Sequence, residues 1–347
     1  MMRSTIALLT LVLGASAASA EPVSFAGKTI TMIIGSAPGG GTDGAGRVIA
    51  QFFTKHLPGH PTVVVKNVPG AQGITAMNFF VKQVAPDGLT ITTASSTQGD
   101  PLLFRTPQSQ FDPTKLPIVG GAGRGGSVLM INKDAEARLH DKSKPPVIMG
   151  SLAGVPRSGM QITAWGIAFL NWNAKWVVGY PGTNALTIAL QRGEIDMTST
   201  SNLFLIQQLL ADGHFKIVAQ SGNLKNGVNT GRPEFGDAPL ITTMMEGKLK
   251  TPIEQQAFNY WSAITALDKW VALPPGTPQP IVDAYRETYK AAFTDPEFIE
   301  MGKKISDDFE PMAWDDITQL IKNLGDTSPE AIAFTTDMLH KQGIQGE

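Results

Sequence analysis

KTITMIIGSAPGGGTD, residues 28–43, decides how the rest of the chain is read. Residues 28–36 are β-branched and apolar and end at turn-forming Gly and Pro, the pattern of a buried strand. A glycine-rich turn follows. Residues 44–57 then place Val48, Ile49, Phe52 and Phe53 along one side of a helix that Pro58-Gly59 ends. The unit is repeated at once, with a strand over 62–65, a helix over 73–84 and a strand over 89–94. Strand–loop–helix alternation of this kind builds a parallel sheet with helices covering its faces.

The same alternation restarts further along. Strands are expected over 128–132, 147–149, 176–178 and 195–198, with helices over 160–170 and 185–192. Residues 261–273 read as a long apolar strand region, followed by a helix over 281–293 and a last helix from Trp314. The expected organisation is a first α/β lobe from residues 21–125 and 222–347, with a second lobe, 126–221, inserted. The chain would return to the first lobe near Ser221. Two crossings between lobes make a hinge, which suits a cleft that closes on a ligand.

Composition sets the class. Hydrophobic residues make up 42% and charged residues 17%, enough for packed cores and too apolar for disorder. The 36 glycines and 24 prolines are spread along the chain, as short turns between many elements require. A net charge of −2 offers no basic field for nucleic acid. Residues 1–20 run from Arg3 through an apolar stretch to Ala18 and Ala20. That order predicts a cleavable secretory signal peptide cut after Ala20, and hence a periplasmic protein. With no cysteine in the chain, export proceeds without disulfides.

Four glycine-rich loops, 37–43, 67–73, 150–159 and 179–184, sit between the end of a strand and the start of a helix. Ligands bind at such strand ends in open α/β sheets. Backbone N–H groups at a helix start attract anions without a charged side chain. Enzyme motifs fail here. Gly41 stands where a phosphate-binding P-loop needs lysine, and neither G-x-S-x-G nor S-x-x-K occurs. His56 and His60 are separated by Pro58-Gly59 and lack a partner carboxylate for zinc. Trp165, Trp172 and Trp176 are expected to be packing residues.

Read together, Ala37-Pro-Gly-Gly-Gly-Thr-Asp43 with Arg47, VVVKNVPGAQG (63–73), PDGLT (86–90), GTNALTIALQRGEIDM (182–197) and ALPPGTPQPIVDAYRETYKAAFTDPEF (272–298) resemble, in order, the motifs of the Bug receptors. These are the substrate-binding proteins of tripartite tricarboxylate transporters. The resemblance implies an α/β, two-lobed periplasmic binding protein fold with a hinged inter-domain cleft. It implies a monomer without cofactor or metal that captures a small organic acid, a di- or tricarboxylate or an aromatic carboxylate, and delivers it to membrane permease subunits. By position it assigns ligand contacts to Ala37, Gly40, Thr42, Asp43, Asn67, Gly73 and Ser95 in the first lobe. In the second lobe it assigns Ser151, Thr183, Asp196 and Thr198. Asp43 is expected to orient its loop, because two anions repel. The chain departs from the family pattern twice. The loop GSLAGVPRSGMQ (150–161) is longer and adds Arg157, which could grip a carboxylate bidentately. Tyr180-Pro181-Gly182 lacks the usual lysine. The rival readings are an exported carboxylate-acting enzyme, which would turn ligand over, and a receptor feeding a membrane sensor.

Overall fold

The computed structural model describes residues 23–39, 41–152, 156, 158–180, 183–225, 228–305 and 309–344. The expected signal segment and two of the site candidates, Gly40 and Arg157, lie outside these residues. The first sheet begins with β1 (Thr29–Ile34), α1 (Gly41–His56), β2 (Thr62–Asn67), α2 (Ile74–Gln83), β3 (Thr90–Ser95), the short helices α3 (Ser96–Gly99) and α4 (Pro101–Phe104), and β4 (Ile118–Arg124). The second is built from β5 (Val128–Asn132), α5 (Lys133–Leu139), β6 (Val147–Leu152), α6 (Gln161–Phe169), β7 (Ala174–Tyr180), α7 (Thr183–Gln191), β8 (Met197–Thr200), α8 (Leu203–Asp212) and β9 (Phe215–Gln220). A hairpin, β10 (Asn223–Lys225) and β11 (Val228–Thr230), follows. Then come α9 (Ile241–Met244), α10 (Pro252–Ala266), β12 (Lys269–Ala272), α11 (Gln279–Lys290), α12 (Pro296–Lys303), β13 (Phe309–Met312), α13 (Trp314–Gly325) and α14 (Pro329–Lys341).

The six strands of the first sheet run β13-β4-β12-β3-β1-β2, and the five of the second run β7-β6-β8-β5-β9. Each sheet is mixed, where alternation alone predicted parallel pairing. β1 pairs in parallel with β2 and β3, but β12 enters antiparallel between β3 and β4. β6 is parallel to β7 and β8, whereas β5 is antiparallel to β8 and β9. The period of two along a strand divides the cores. Ile30, Met32 and Ile34 enter a core with α1, while Ile33 meets Ala76 and Phe80 on the opposite face. In β5, Leu129 and Ile131 feed one core and Val128 and Met130 another.

The expected strand over 261–273 is corrected. Its first half is the end of α10, and only 269–272 pair in the sheet. α10 starts from a capping box, in which the Thr251 hydroxyl accepts the Glu254 N–H and the Glu254 carboxylate accepts the Thr251 N–H. An apolar run without clear alternation fits either element, and here the cap far upstream determines which forms. α13 is likewise not the last helix, since α14 follows it.

The return from the second lobe also comes later than Ser221. Ile241, Met245, Ala257, Phe258 and Trp261 belong to the core of the second sheet, whereas Tyr260, Ala263 and Leu267 belong to that of the first. α10 therefore spans both lobes. α14 then goes back, placing Ala331, Met338 and Leu339 in the second core. Among the described residues the chain passes between lobes three times: at 125–127, through α10 and at 326–328.

Candidate functional site

Parallel strands end on one side of their sheet, so the loops after β1, β2 and β3 are neighbours. Asp43, in the first turn of α1, ties the first two together. Its Oδ2 accepts the Gly39 N–H at 2.9 Å and the Arg47 Nε–H at 2.9 Å, and its Oδ1 accepts the Asn67 amide at 2.8 Å. Asn67 also donates to the Ser36 carbonyl at 3.0 Å and accepts from Arg47 Nη2 at 3.2 Å. Burial alone would raise the Asp43 carboxyl, but hydrogen bonds from Arg47, Gly39 and Asn67 outweigh it and hold the pKa down to about 2. Both oxygens of the carboxylate are occupied by Gly39, Arg47 and Asn67. With its charge matched by Arg47, the start of α1 keeps the positive end of the helix dipole uncancelled.

The second loop has a backbone few sequences tolerate. Gly70, Ala71, Gln72 and Gly73 have φ of 141°, 46°, 54° and 93°. Left-handed backbone is unfavourable for Ala71 and Gln72, and such strain persists only where neighbours hold it. Gln98 does so. Its Nε2 donates to the Gln72 carbonyl, while its Oε1 accepts from the Ser95 N–H at 2.8 Å and the Ser95 hydroxyl at 3.0 Å. Gly73 is required twice over, by its φ and because a Cβ there would lie 2.5 Å from Gln98 Nε2. Gly73 also abuts Gly35, at 3.0 Å from where a Gly35 Cβ would stand. The three first-lobe loops thus form one braced cluster. Ala37 is exposed and Thr42 half-buried at its rim.

In the second lobe Ser151 is fully buried near Met160, and Thr198 donates to the Gly150 carbonyl at 3.3 Å. Gly159 presses against β8 and the hinge, because a Cβ would fall 2.2 Å from Ser127 Cβ and 2.4 Å from Ser199 Oγ. Thr183 opens α7. α10 contacts both α3 and the helical turn Ser158–Met160, so the short helix after β3 and the second-lobe turn lie along one helix.

Asp196 requires correction. It precedes β8 at the end remote from these loops, where Oδ1 accepts from Arg138 Nη2 at 2.6 Å and Oδ2 from the Ile148 N–H at 2.9 Å. It pins α5 to the start of β6 and faces no cleft. Trp165 and Trp172 are core, Trp176 donates to Gln342, and His56 contacts Asp295 at 2.6 Å. Among the described residues no cluster of His, Asp or Glu could hold a metal. Residues 95–98 were expected as pocket walls at the end of the third strand; Ser36 was missed. The Ser36 hydroxyl is buried at the base of the first loop with no partner among the described residues. The bracing role of Gln98 shows only in its place opposite the left-handed turn.

The solved structures supply the comparison. A TctC solute-binding protein from Polaromonas superposes over 92% of this chain and 100% of its own, with a TM-score of 0.66 at 16% identity. The periplasmic binding protein BugD superposes over 92% and 99%, with a TM-score of 0.51 at 20% identity. The chain has the fold of the TctC and Bug periplasmic binding proteins. The two-lobed binding-protein fold that the ordered motifs imply is thereby borne out. An R. palustris protein of the same fold, solved with adipate, covers 92% of this chain and 98% of its own, with a TM-score of 0.55 at 20% identity. In sequence, a UPF0065 protein of Bordetella pertussis is 27% identical over 310 residues, 85% of each chain. A UPF0065 protein of Cupriavidus necator is 35% identical over 118 residues, 33% of this chain and 34% of its own. No family model matches the sequence. None of the described helices is long and apolar enough to cross a membrane.

Proposed function

We propose that this chain is a periplasmic solute-binding protein of the TctC/Bug type. It captures a small organic acid between its lobes, for uptake by a tripartite tricarboxylate-type transporter, and performs no chemistry on it. The observation that carries the reading is the brace at the start of α1. Asp43 is matched by Arg47 and Asn67, leaving the loop without net charge and the N–H groups of the first helical turn as donors. The Ser36 hydroxyl, earlier in the same loop, is buried without a partner among the described residues. Hydrogen-bonding groups without a formal cation suit reversible capture, because they satisfy a carboxylate while leaving it easy to release. The adipate bound by the R. palustris protein of the same fold supports a dicarboxylate as the first ligand to offer. Closure of the lobes would bring donors from 151–160 to the other side of the acid, coupling binding to the hinge.

The test is a thermal-shift screen of dicarboxylates, tricarboxylates and aromatic acids, with each mixture afterwards examined by NMR. At least one acid is expected to raise Tm in a concentration-dependent way and to be recovered unchanged. A chain indifferent to every acid, or one that converts an acid to product, refutes the proposal. Deletion of the protein in its host is expected to abolish uptake of that acid.

A further inference from the structure

The helix shared by both cores also reaches the loops of the first lobe. Along α10, Ala257, Phe258 and Trp261 are buried in the core of the second sheet, and Tyr260, Ala263 and Leu267 in that of the first. Tyr260 is buried and makes a polar contact with the first lobe, where its hydroxyl donates to Asp100 Oδ1 at 3.0 Å. Asp100 follows α3 and caps α4, and the same oxygen accepts the Leu102 N–H at 2.9 Å. The bond therefore holds α10 to the residue at which two short helices meet.

α3 is also the helix that carries Gln98, the brace of the left-handed turn 70–73. It is fastened at both ends to α10 and the strand that follows. At its start the Ser96 N–H donates to the Asp268 carbonyl at 2.8 Å, and the Trp270 indole donates to the Ser95 carbonyl at 2.9 Å. At its end a Cβ on Gly99 would fall 2.6 Å from Leu267 Cδ2, and Asp100 comes next. Towards the other lobe, α10 contacts the turn Ser158–Met160. One helix thus connects the 70–73 turn, through Asp100 and Gln98, with the turn that ends the second-lobe loop.

Apolar contacts such as those of Ala263 and Leu267 tolerate sliding, and packed helices shear by small amounts when domains close. A hydrogen bond resists that sliding, because it weakens steeply as its angle departs from linear. We propose that Tyr260 is a positioning residue for acid capture. Its bond to Asp100 fixes where α10, and the second-lobe turn beside it, stand relative to the 70–73 loop. Tyr260 touches no ligand and acts through Asp100 and α3. The inference rests on the acid-capture reading above and adds to it the contact that sets the spacing across the cleft.

The test separates positioning from stability. Adipate, citrate and benzoate are titrated by calorimetry into the wild type and its variants, each held well below a Tm read by thermal unfolding. Tyr260→Phe keeps the ring and loses the hydroxyl. It is expected to weaken binding of the acid that the wild type takes by about tenfold. In the Asp100→Ala background the same change should cost no further affinity, because both act through one bond. Thr251→Ala removes the cap at the far end of α10, and should lower Tm while leaving affinity unchanged. Equal affinity of Tyr260→Phe and the wild type overturns the inference, as does an additive loss in the double variant. A loss in Thr251→Ala as large as that in Tyr260→Phe overturns it too, since helix stability alone would then account for both. If none of the three acids binds the wild type saturably, the capture reading fails and this inference falls with it.

Discussion

At the scale of single residues, the site is a set of side chains holding backbone in place. Asn67 is the clearest case, because one amide bridges two loops through Ser36 and Asp43. Asn67→Ala is expected to destabilise by about 1–2 kcal/mol and to weaken acid binding, since the first-turn N–H groups lose their frame. Asp196→Ala is its counterpart. It leaves Arg138 unmatched and should lower Tm by a comparable or larger amount, yet leave acid affinity unchanged. Calorimetry and thermal unfolding on both variants check the pair; equal losses of affinity would return Asp196 to the cleft. Gly73→Ala combines left-handed φ with a clash against Gln98, and should cost about 1–3 kcal/mol together with affinity. Asp196 and Asn67 are indistinguishable as polar residues near motifs. Only the strand end at which each lies separates them.

At the scale of elements, α1 is clamped at both ends by carboxylates. Asp43 holds its start. Near its end, Asp295 contacts His56 at 2.6 Å and Lys55 at 3.3 Å. The Phe298 N–H, and against burial His56 and Lys55, hold the Asp295 carboxyl down to about 2. Both groups are lower in the folded chain than their ordinary value of 3.8. Their contribution is therefore complete above about pH 4 and disappears as pH falls towards 2, with each worth at most about 2 kcal/mol. Tm measured from pH 7 downward should fall in that window, and the fall should be shallower in Asp43→Asn with Asp295→Asn. An identical acid limb in the double variant would show that α1 is not where the carboxylates act. The helix itself was legible, because Val48, Ile49, Phe52 and Phe53 keep helical spacing. Its partner α12 lies some 240 residues away, and no local pattern reports that meeting.

At the scale of the whole molecule, the lobes are joined through close backbone approaches. A Cβ on Gly126 would stand 2.0 Å from the Gly222 carbonyl, and one on Gly125 would stand 2.1 Å from Arg232 Nη1. Arg232 is buried, donates to the Gly126 carbonyl at 3.2 Å and lies 4.6 Å over the Phe235 ring. Gly126→Ala is expected to lower stability by about 1–3 kcal/mol and to impair acid binding, because the two connecting segments that meet there must move apart. Thermal unfolding and calorimetry read both effects; an unchanged Tm would mean that this contact is loose.

Local chemistry by itself determined most strands, the longer helices that follow the glycine-rich loops, and the loops and their order, because periodicity and turn residues act over a few positions. Two apolar lobes and the position of the glycine-rich loops followed from that order. Tertiary structure decided the rest: that β12 runs antiparallel in the middle of the first sheet, that residues 252–266 coil into a helix shared by both cores, and that Asp196 faces away from the cleft. It also decided that Gln98 supports a strained turn. Each of these depends on which surface a segment meets after the chain has doubled back. Such a meeting is set by the packing of distant residues and leaves no mark on the neighbours in sequence.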